Sequence, residues 1–387
     1  MDILITFDFV VLGAGMAGAS AAAQLATRGR VAVLEREEHA GYHSTGRSAA
    51  LFSEIYGGQV VRALSRASRP FLFDPPAGFA TAPLVHPRPT LFFARPDQMD
   101  SLARFRTDSD VAAATIELSA AGTLQQAPVF RDGYLGGGLL ESGSADIDVD
   151  ALHQGFLRQA RARGAQVSFN VDVRALRRDG GLWHVETAAG IVSAPVVVNA
   201  AGAWGDEVAR LAGVEPVGLQ PKRRTAMLIE APVARPGSAP MSAWAAAIDI
   251  DEQFYFKPDA GLLLLSPADE APSPPCDVQP EELDIAIAVE RFEQATGTQV
   301  RRVVRRWAGL RGFTADRTPV VGFDPDAAGF FWLVGQGGYG IQTAEALGRV
   351  AAALAAGEAL PSDVAAIGVT PALLSPARLA VSTSLRA

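Results

Sequence analysis

Short apolar runs alternate with glycine-rich turns and alanine-rich stretches along this chain of 387 residues. The first unit begins with Phe9–Leu12, an apolar and β-branched run that predicts a strand buried on both faces of a parallel sheet. A glycine-rich turn follows, then an alanine-rich stretch through Ala26 that predicts a helix, and Val31–Leu34 predicts a second strand. This order is typical of a βαβ unit that binds a dinucleotide.

The turn of this unit reads GAGMAG, and its glycines predict three separate tasks. Gly13 allows the tight turn, Gly15 lets a pyrophosphate approach the backbone, and Gly18 lets the helix pack on the sheet. Glu35 follows the second strand, 17 residues after Gly18, where a carboxylate can accept the ribose hydroxyls of an adenosine. From the motif alone, NAD and FAD both remain open.

The remaining pattern predicts alternating strands and helices with polar loops between them. The expected helices cover 60–73, 151–163 (with Asp148 or Asp150 as its N-cap), 280–296 and 343–356, and the stretch 97–132 looks loop-like. The expected strands are 91–94, 166–173, 196–198 and 330–334, with hairpins at 183–192 and 254–266.

Composition narrows the class of protein. A formal net charge of -8 without a basic stripe argues against nucleic-acid binding, since a phosphate backbone must be neutralised by clustered cations. Cys276 is the only cysteine, so we expect no internal disulfide and no cysteine metal cluster. The start MDILITFDF lacks the basic region of a signal peptide, and no apolar run is long enough to span a membrane. We therefore expect a cytoplasmic protein of two domains, with peripheral membrane contact at most.

Two further loops carry candidate chemistry. The loop HSTGRSAA places hydroxyl groups beside Arg47, and such a loop can wrap a pyrophosphate from the far side. The loop GQGGYGIQT, from Gly335 to Thr343, follows a buried strand and precedes a helix, whose N-terminus suits a partial negative charge such as the edge of a reduced flavin. Arg224, followed by TAMLIE, enters a strand with its side chain facing a sheet surface.

These motifs together resemble the D-amino-acid oxidase and glycine oxidase superfamily of FAD enzymes. The resemblance rests on GAGMAG, HSTGRSAA, VVVNAAGAW, GLRGFTADRTP and GQGGYGIQT, and within the superfamily GLQPKRR, FYFKPDAG and WAGLRGF look like bacterial D-arginine dehydrogenases. It implies an α/β fold with a Rossmann-like FAD domain and a second α+β domain on a mainly antiparallel sheet. The implied FAD domain covers 1–82, 145–220 and 305–387, and the substrate domain 83–144 and 221–304.

The resemblance also implies which residues bind FAD, without a covalent link, since Cys276 lies in a proline-rich loop outside the flavin motifs. For the adenosine half these are Gly13, Gly15, Gly18, Glu35, Arg36 and Val173; for the phosphates and the flavin they are Ser44, Thr45, Arg47, Ser48, Ala49, Ala201, Gly202, Gly338, Tyr339, Gly340, Ile341 and Gln342.

For the substrate, the resemblance implies that Arg224 and Arg311 hold a carboxylate beside Tyr255, and that Tyr56 lies on a mobile loop. The implied pocket includes Leu51, Ser53, Thr90, Gly338 and Tyr339. Arginine-preferring relatives carry a histidine where this chain has Leu51 and an acid where it has Thr90. We therefore expect a substrate with a neutral rather than a cationic side chain.

The implied activity is oxidative deamination of D-amino acids, giving a 2-oxo acid and ammonia, with a quinone or O₂ as the electron acceptor. Several alternatives stay open at this point. They are a glycine or sarcosine type amine oxidase, a 2-hydroxy acid dehydrogenase, an NAD-dependent dehydrogenase, and a flavin-binding subunit without turnover of its own.

Overall fold

The computed structural model describes residues 5–232 and 235–379, and they form strands and helices in the following order. The strands are β1 Ile5–Thr6, β2 Phe9–Leu12, β3 Val31–Leu34, β4 Leu51–Phe52, β5 Val85–Pro87, β6 Thr90–Ala94, β7 Ile116–Ser119, β8 Gly137–Glu141, β9 Ala145–Ile147, β10 Gln166–Ser168, β11 Val173–Asp179, β12 Leu182–Thr187, β13 Gly190–Ala194, β14 Val196–Asn199, β15 Gln220–Ile229, β16 Ala246–Asp249, β17 Tyr255–Asp259, β18 Leu262–Ser266, β19 Val303–Phe313, β20 Val320–Phe323 and β21 Phe330–Val334. The α-helices are α1 Met16–Leu25, α2 Gln59–Phe73, α3 Met99–Arg106, α4 Ser109–Ala114, α5 Ala120–Gln126, α6 Val149–Ala162, α7 Gly205–Leu211, α8 Glu282–Thr296, α9 Ala344–Ala355, α10 Ser362–Ala366 and α11 Pro371–Leu374.

The predicted βαβ unit lies at the centre of a six-stranded sheet with the order β10-β3-β2-β14-β21-β20. The strands β2, β3, β14 and β21 run parallel, and their side chains are almost all buried because α1, α6 and α9 cover one face of the sheet. The predicted Rossmann-like α/β architecture is confirmed.

A second, eight-stranded sheet has the order β19-β15-β18-β17-β16-β6-β8-β7. β6 and β16 pair in parallel, whereas the other neighbouring strands pair in antiparallel register. One face of this sheet packs against α8 through an apolar cluster that includes Phe93, Phe256 and Phe292. The other face carries Arg224 and Tyr255 toward the six-stranded sheet, so the mainly antiparallel second layer is also confirmed.

The single strand predicted over 166–173 is wrong, because the chain turns within it. β10 ends at Ser168, Asn170 adopts a positive φ of 56°, and β11 starts at Val173 in a different sheet of order β1-β13-β12-β11. Asparagine tolerates this left-handed conformation better than most residues, which ends one strand and redirects the next.

The stretch 97–132 is more regular than its loop-like pattern indicated. It contains α3, α4, β7 and α5, and two of its short helices are capped by side chains, Asp108 accepting from Asp110 N and Ser119 from Gly122 N. A helix of six or seven residues is too short for a clear 3.6-residue period, so its caps are the better sequence sign. Elsewhere, Asp148 caps α6, which decides between the two predicted caps.

The proposed division into two domains remains a prediction, and β19 begins at Val303, before the expected boundary at 305. In the ranges 5–232 and 235–379, no helix combines the length and the apolar character that crossing a membrane requires.

Candidate functional site

The turn between β2 and α1 brings bare backbone to the edge of the six-stranded sheet. Gly13 has a φ of 99°, and a Cβ atom there would lie 2.7 Å from the carbonyl oxygen of Ala200. A Cβ at Gly18 would lie 1.9 Å from the carbonyl oxygen of Gly13, so only glycine allows α1 to start this close to the strand. The first N–H groups of α1 therefore face the sheet edge without side chains in front of them.

A first cavity opens beside this turn. Its wall holds Glu35, whose Oε2 accepts from Ala14 N at 2.7 Å and whose Oε1 accepts from Glu37 N at 3.0 Å. These two bonds fix the carboxylate at the end of β3 while lone pairs remain for further donors. The cavity is lined by the following predicted residues: Gly13, Gly15, Glu35, Arg36, Ser44, Thr45, Val173, Ala201 and Gly202.

Trp204 and His43, which the sequence reasoning missed, close the same cavity together with the predicted Arg36. The guanidinium of Arg36 lies 4.6 Å from the ring centre of Trp204, and the His43 ring lies 4.5 Å from the same tryptophan. His43 Nε2 also bonds Glu37 Oε1 at 2.9 Å, which fixes the histidine ring in the cavity wall. Trp204 ends the motif NAAGAW, so an aromatic residue right after a strand end was the available sign.

A second cavity continues from the first, and the two share Gly15, Ser44, Thr45 and Gly202. Thr45 Oγ1 accepts from Met16 N at 3.0 Å, which ties the HSTGRSAA loop to the N-terminus of α1. The second cavity is lined by the following predicted residues: Gly15, Ser44, Thr45, Arg47, Ser48, Ala49, Gly202, Gly338, Gly340 and Ile341.

Arg47 faces this cavity, yet most of its guanidinium is already bound to protein. Nη1 donates to the carbonyl oxygens of Val278 and Ala308 at 3.1 Å each, and Nη2 forms an ion pair with Asp277. The ion pair with Arg47 lowers the pKa of the Asp277 carboxyl. The predicted phosphate contact of Arg47 stays a prediction, and the structure gives the residue the additional task of fixing the 277–278 loop.

A third cavity joins the second, and both are lined by Arg224, Arg311 and Tyr255. The two arginines lie on adjacent antiparallel strands, since Arg224 pairs with Gly309 and Arg311 is two residues further along β19. Such diagonal neighbours share a face, with Cβ atoms about 7–8 Å apart. The register of β15 and β19 therefore brings two guanidinium groups to one place.

The positive charge of this pair is left largely uncompensated. Arg224 is 7 % exposed, and its Nε donates to the carbonyl oxygen of Asp269 at 2.8 Å. Glu270 Oε1 lies 3.4 Å from Arg224 Nη2, but the same carboxylate pairs with Arg317 at 2.7 Å and Lys222 at 2.9 Å. The ion pair with Arg317, aided by Lys222, lowers the pKa of Glu270 to about 2. Among the described residues no carboxylate pairs with Arg311, so the cavity is suited to an anion.

Tyrosines fix the position of Arg311. Its Nη1 donates to Tyr56 Oη at 3.3 Å, and the Tyr56 ring packs edge-on against Tyr339 at 4.9 Å between ring centres. A Cβ at Gly338 would lie 2.9 Å from Arg311 Cζ, so a side chain at this point of the glycine-rich loop would displace the guanidinium. Tyr339 itself lies behind Tyr56 and is not among the lining residues of the three cavities.

The other predicted pocket residues divide into two groups. Leu51 and Ser53 line the third cavity with Gln342, and Gln342 Oε1 accepts from Ser53 N at 3.1 Å. Thr90 is fully buried on β6 and lines none of the three cavities, although it lies on the same sheet face as Phe92, which does. The sequence reasoning missed Phe92 and Lys257, and the alternation of Tyr255 and Lys257 along β17 was the sign that both face the cavity.

The arrangement excludes some chemistry within the described residues. No group of three or more histidine, cysteine or acidic side chains is placed to hold a metal ion there. Cys276 is exposed and lines none of the three cavities, and a cofactor without a thioether link stays a prediction.

Comparison with known proteins gives the family. The model of a family described as FAD dependent oxidoreductase matches residues 8–354. A curated relative, the tRNA 5-methylaminomethyl-2-thiouridine biosynthesis bifunctional protein MnmC of Burkholderia multivorans, is 29% identical over 347 residues, which cover 81% of this chain and 47% of the relative. The chain thus spans about half the length of that relative.

Solved structures share the fold over nearly the whole chain. Glycine oxidase from Geobacillus kaustophilus superposes with a TM-score of 0.81 at 21% identity, covering 95% of this chain and 99% of its own. L-proline dehydrogenase from P. horikoshii superposes with a TM-score of 0.82 at 18% identity, covering 98% and 99%. These likenesses show the shared fold, and the match to the family of FAD-dependent oxidoreductases confirms the superfamily expected from the motifs. The finer resemblance to D-arginine dehydrogenases is not confirmed.

FAD is the cofactor of this fold, and the described residues fit it. The first and second cavities form one groove with a fixed carboxylate at one end, the bare N-terminus of α1 in the middle and a second glycine-rich loop at the other end. The order of these three features matches the order of the adenosine, the pyrophosphate and the flavin along FAD.

Proposed function

Because the chain belongs to the family of FAD-dependent oxidoreductases, we propose that it catalyses the oxidative deamination of D-amino acids with neutral side chains. The observation that carries the proposal is the pair of Arg224 and Arg311 in a cavity continuous with the flavin part of the groove. Two buried guanidinium groups side by side are costly without an anionic ligand. An amino-acid carboxylate offers two oxygens in the geometry that a guanidinium binds best.

FAD, when bound, supplies the acceptor for the hydride of the substrate Cα–H. For its adenosine and pyrophosphate we assign Glu35, Gly13, Gly15 and the N-terminus of α1, and for the flavin the loop 338–342 together with Ser48 and Ala49.

The substrate carboxylate would bind Arg224 and Arg311, with Tyr56 holding the second guanidinium in place. Fixing the carboxylate in this way aims the Cα–H at the second cavity and the side chain at the third. The wall of the third cavity has one carboxylate, Glu252, on an exposed turn, so the amine would lose its proton to water before or during binding. The resulting imino acid is released and hydrolysed by water to a 2-oxo acid and ammonia.

The walls of the third cavity support a neutral side chain. Leu51, Phe92 and Ile248 are apolar, and the charged groups facing the cavity are mostly cationic, since Lys257 joins the two arginines. A cationic side chain would meet like charges and no dedicated carboxylate at the position of Thr90. The structural neighbours are named for glycine and L-proline, which also join an amine to a carboxylate-bearing carbon.

Anaerobic bleaching of the flavin band tests the proposal. D-Leucine, D-methionine and D-alanine should reduce the enzyme-bound flavin faster than D-arginine, and faster than L-amino acids, glycine, sarcosine or 2-hydroxy acids. A tenfold preference for D-arginine would overturn the neutral side chain. Reduction by L-amino acids alone would overturn the stereochemistry, and reduction by none would overturn the activity.

The arginine pair can be tested with a matched control. Arg311→Met should raise KM by about 10- to 100-fold, as expected for the loss of hydrogen bonds to a charged group. Arg305 lies on the same strand but is exposed, so Arg305→Met removes the same charge and should leave KM within twofold of the parent. Equal effects of the two substitutions would contradict the assignment.

A further inference from the structure

Lys257 is a cationic side chain at the wall of the third cavity that the proposed chemistry does not use. It is one of two lysines among the 34 basic residues of the chain and is only 7 % exposed. Its Nζ donates to Asp146 Oδ1 at 2.6 Å, and Asp146 Oδ2 accepts from Arg88 Nε at 2.8 Å. One carboxylate is thus shared by two cations, which leaves a net positive charge beside the cavity.

The ammonium group also has hydrogen-bonding capacity to spare. A lysine carries three N–H donors, and the described residues provide one acceptor, Asp146. A buried donor without an acceptor costs free energy, so the remaining donors favour an oxygen atom inside the cavity.

Strand register places room for such an atom next to Lys257. Ala246 pairs with Thr90 on β6, and because Ala247 pairs with Phe256, Ala246 lies beside Lys257 on β17. The small Ala246 lines the cavity between these two polar residues. Thr90 Oγ1 is fully buried and has no hydrogen-bond partner among the described residues. The row Thr90–Ala246–Lys257 therefore leads from a buried hydroxyl without a partner among the described residues, past a small side chain, to the ammonium group at the cavity wall.

We propose that Lys257 forms a second binding point in the third cavity, which takes an uncharged oxygen acceptor in the side chain of the substrate, such as a carboxamide. The inference rests on the proposed function, in which the two arginines hold the α-carboxylate. Lys257 and Arg224 lie two strands apart in the sheet order β15-β18-β17, and they are offset by four residues along the strands, since Lys257 pairs with Leu264 and Leu264 with Leu228. Their Cα atoms are therefore about 16 Å apart. Both long side chains extend into the third cavity, where one amino acid can bridge them. Lys257 is then a specificity-determining residue, since it distinguishes oxygen-bearing side chains from hydrocarbon ones of equal length.

Inert acids test this binding point without turnover. Pentanoate has one carboxylate, glutarate has a second at the far end of the same five-carbon chain, and glutaramate has a carboxamide there. Binding to the FAD-loaded enzyme is followed by the flavin difference spectrum. The parent should bind glutaramate at least tenfold more tightly than pentanoate. Tighter binding of glutarate than of glutaramate would overturn the uncharged acceptor.

Variants assign the preference to Lys257. Lys257→Met should abolish it and leave pentanoate affinity within threefold of the parent, whereas Lys257→Arg should retain part of it. Arg177→Met, which removes an exposed cation on β11 in a different sheet, should retain the preference in full. Asp146→Asn leaves the ammonium in place but weakens its competing partner, so it should increase the preference, and it tests the inference even if Lys257→Met fails to fold.

The outcomes separate this inference from the proposed function. An equal affinity for the three acids in the parent, or a preference that Lys257→Met retains, would overturn the binding point. Failure of every acid to bind would overturn the arginine assignment and the inference with it. A Lys257-dependent preference in an enzyme that oxidises no D-amino acid would overturn the proposed activity and support the binding point.

Discussion

Burial of the Glu141 carboxyl lowers the free energy of unfolding at a pH where the group is ionised in the unfolded chain. Replacement by glutamine should reveal this loss of stability. Its side chain is 2 % exposed, and it accepts hydrogen bonds from Ser53 Oγ at 2.7 Å and Glu54 N at 2.8 Å. Burial raises the pKa of Glu141 from 4.5 to about 7, against the lowering effect of these two bonds. The nearby charges of Glu54 and Arg69 act in opposite directions, Glu54 raising the pKa and Arg69 lowering it.

The sign of the pH dependence follows from this shift. Between pH 4.5 and 7 the unfolded chain has lost the proton while the native protein keeps it, so the free energy of unfolding falls as pH rises through this window. Above pH 7 the full decrease in the free energy of unfolding is present. A shift of 7 − 4.5 = 2.5 pKa units at about 1.36 kcal/mol each corresponds to about 3 kcal/mol. With an unfolding entropy of roughly 2.1 cal/mol/K per residue, cooperative unfolding of the chain converts this to about 4 °C in Tm.

Glu141→Gln removes the titration while keeping the shape of the side chain. Tm of the FAD-saturated protein should be measured by calorimetry from pH 5 to pH 8 for parent and variant. The difference, variant minus parent, should rise by about 3 °C across this range, because part of the loss has already occurred at pH 5. Any constant offset from the altered bond to Ser53 does not change this rise. Glu290→Gln makes the same chemical change on the exposed side of α8 and sets the baseline. A difference that stays constant or falls with pH would refute the reasoning.

Two glycine substitutions test the two halves of the site. Gly18→Ala would place a Cβ atom 1.9 Å from the carbonyl oxygen of Gly13, so the purified variant should contain less than a tenth of the parent's flavin by absorbance at equal protein concentration. Gly338→Ala would place a Cβ 2.9 Å from Arg311 Cζ; it should retain flavin but raise KM at least tenfold in steady-state kinetics. Gly143→Ala, whose added Cβ meets nothing within 4 Å, should change neither quantity, and a parent-like KM in Gly338→Ala would contradict the position of Arg311.

The nucleotide-binding half of the fold could be predicted because its determinants are local. Gly13, Gly18 and Glu35 lie within 23 residues of one another, and strand, turn, helix and strand follow in order. Each residue has one geometric reason for its identity, such as the approach of Gly18 to the carbonyl oxygen of Gly13. The break at Asn170 was missed because apolar periodicity carries no information on a single positive φ.

The substrate half depends on register between strands that are distant in sequence, which no local motif encodes. Arg224 and Arg311 meet because β15 pairs with β19 so that Arg224 faces Gly309, and a slip of one residue would turn Arg311 to the opposite face of the sheet. Thr90 was predicted in the pocket from a resemblance, but it lines none of the three cavities, whereas its strand neighbours Ala246 and Lys257 line the third. Period-2 alternation could have indicated Lys257 from Tyr255, but its partner Asp146 lies 111 residues away and is brought to it by folding alone. The local glycine motifs thus determine where FAD binds, whereas pairing between distant strands determines which substrate reaches it.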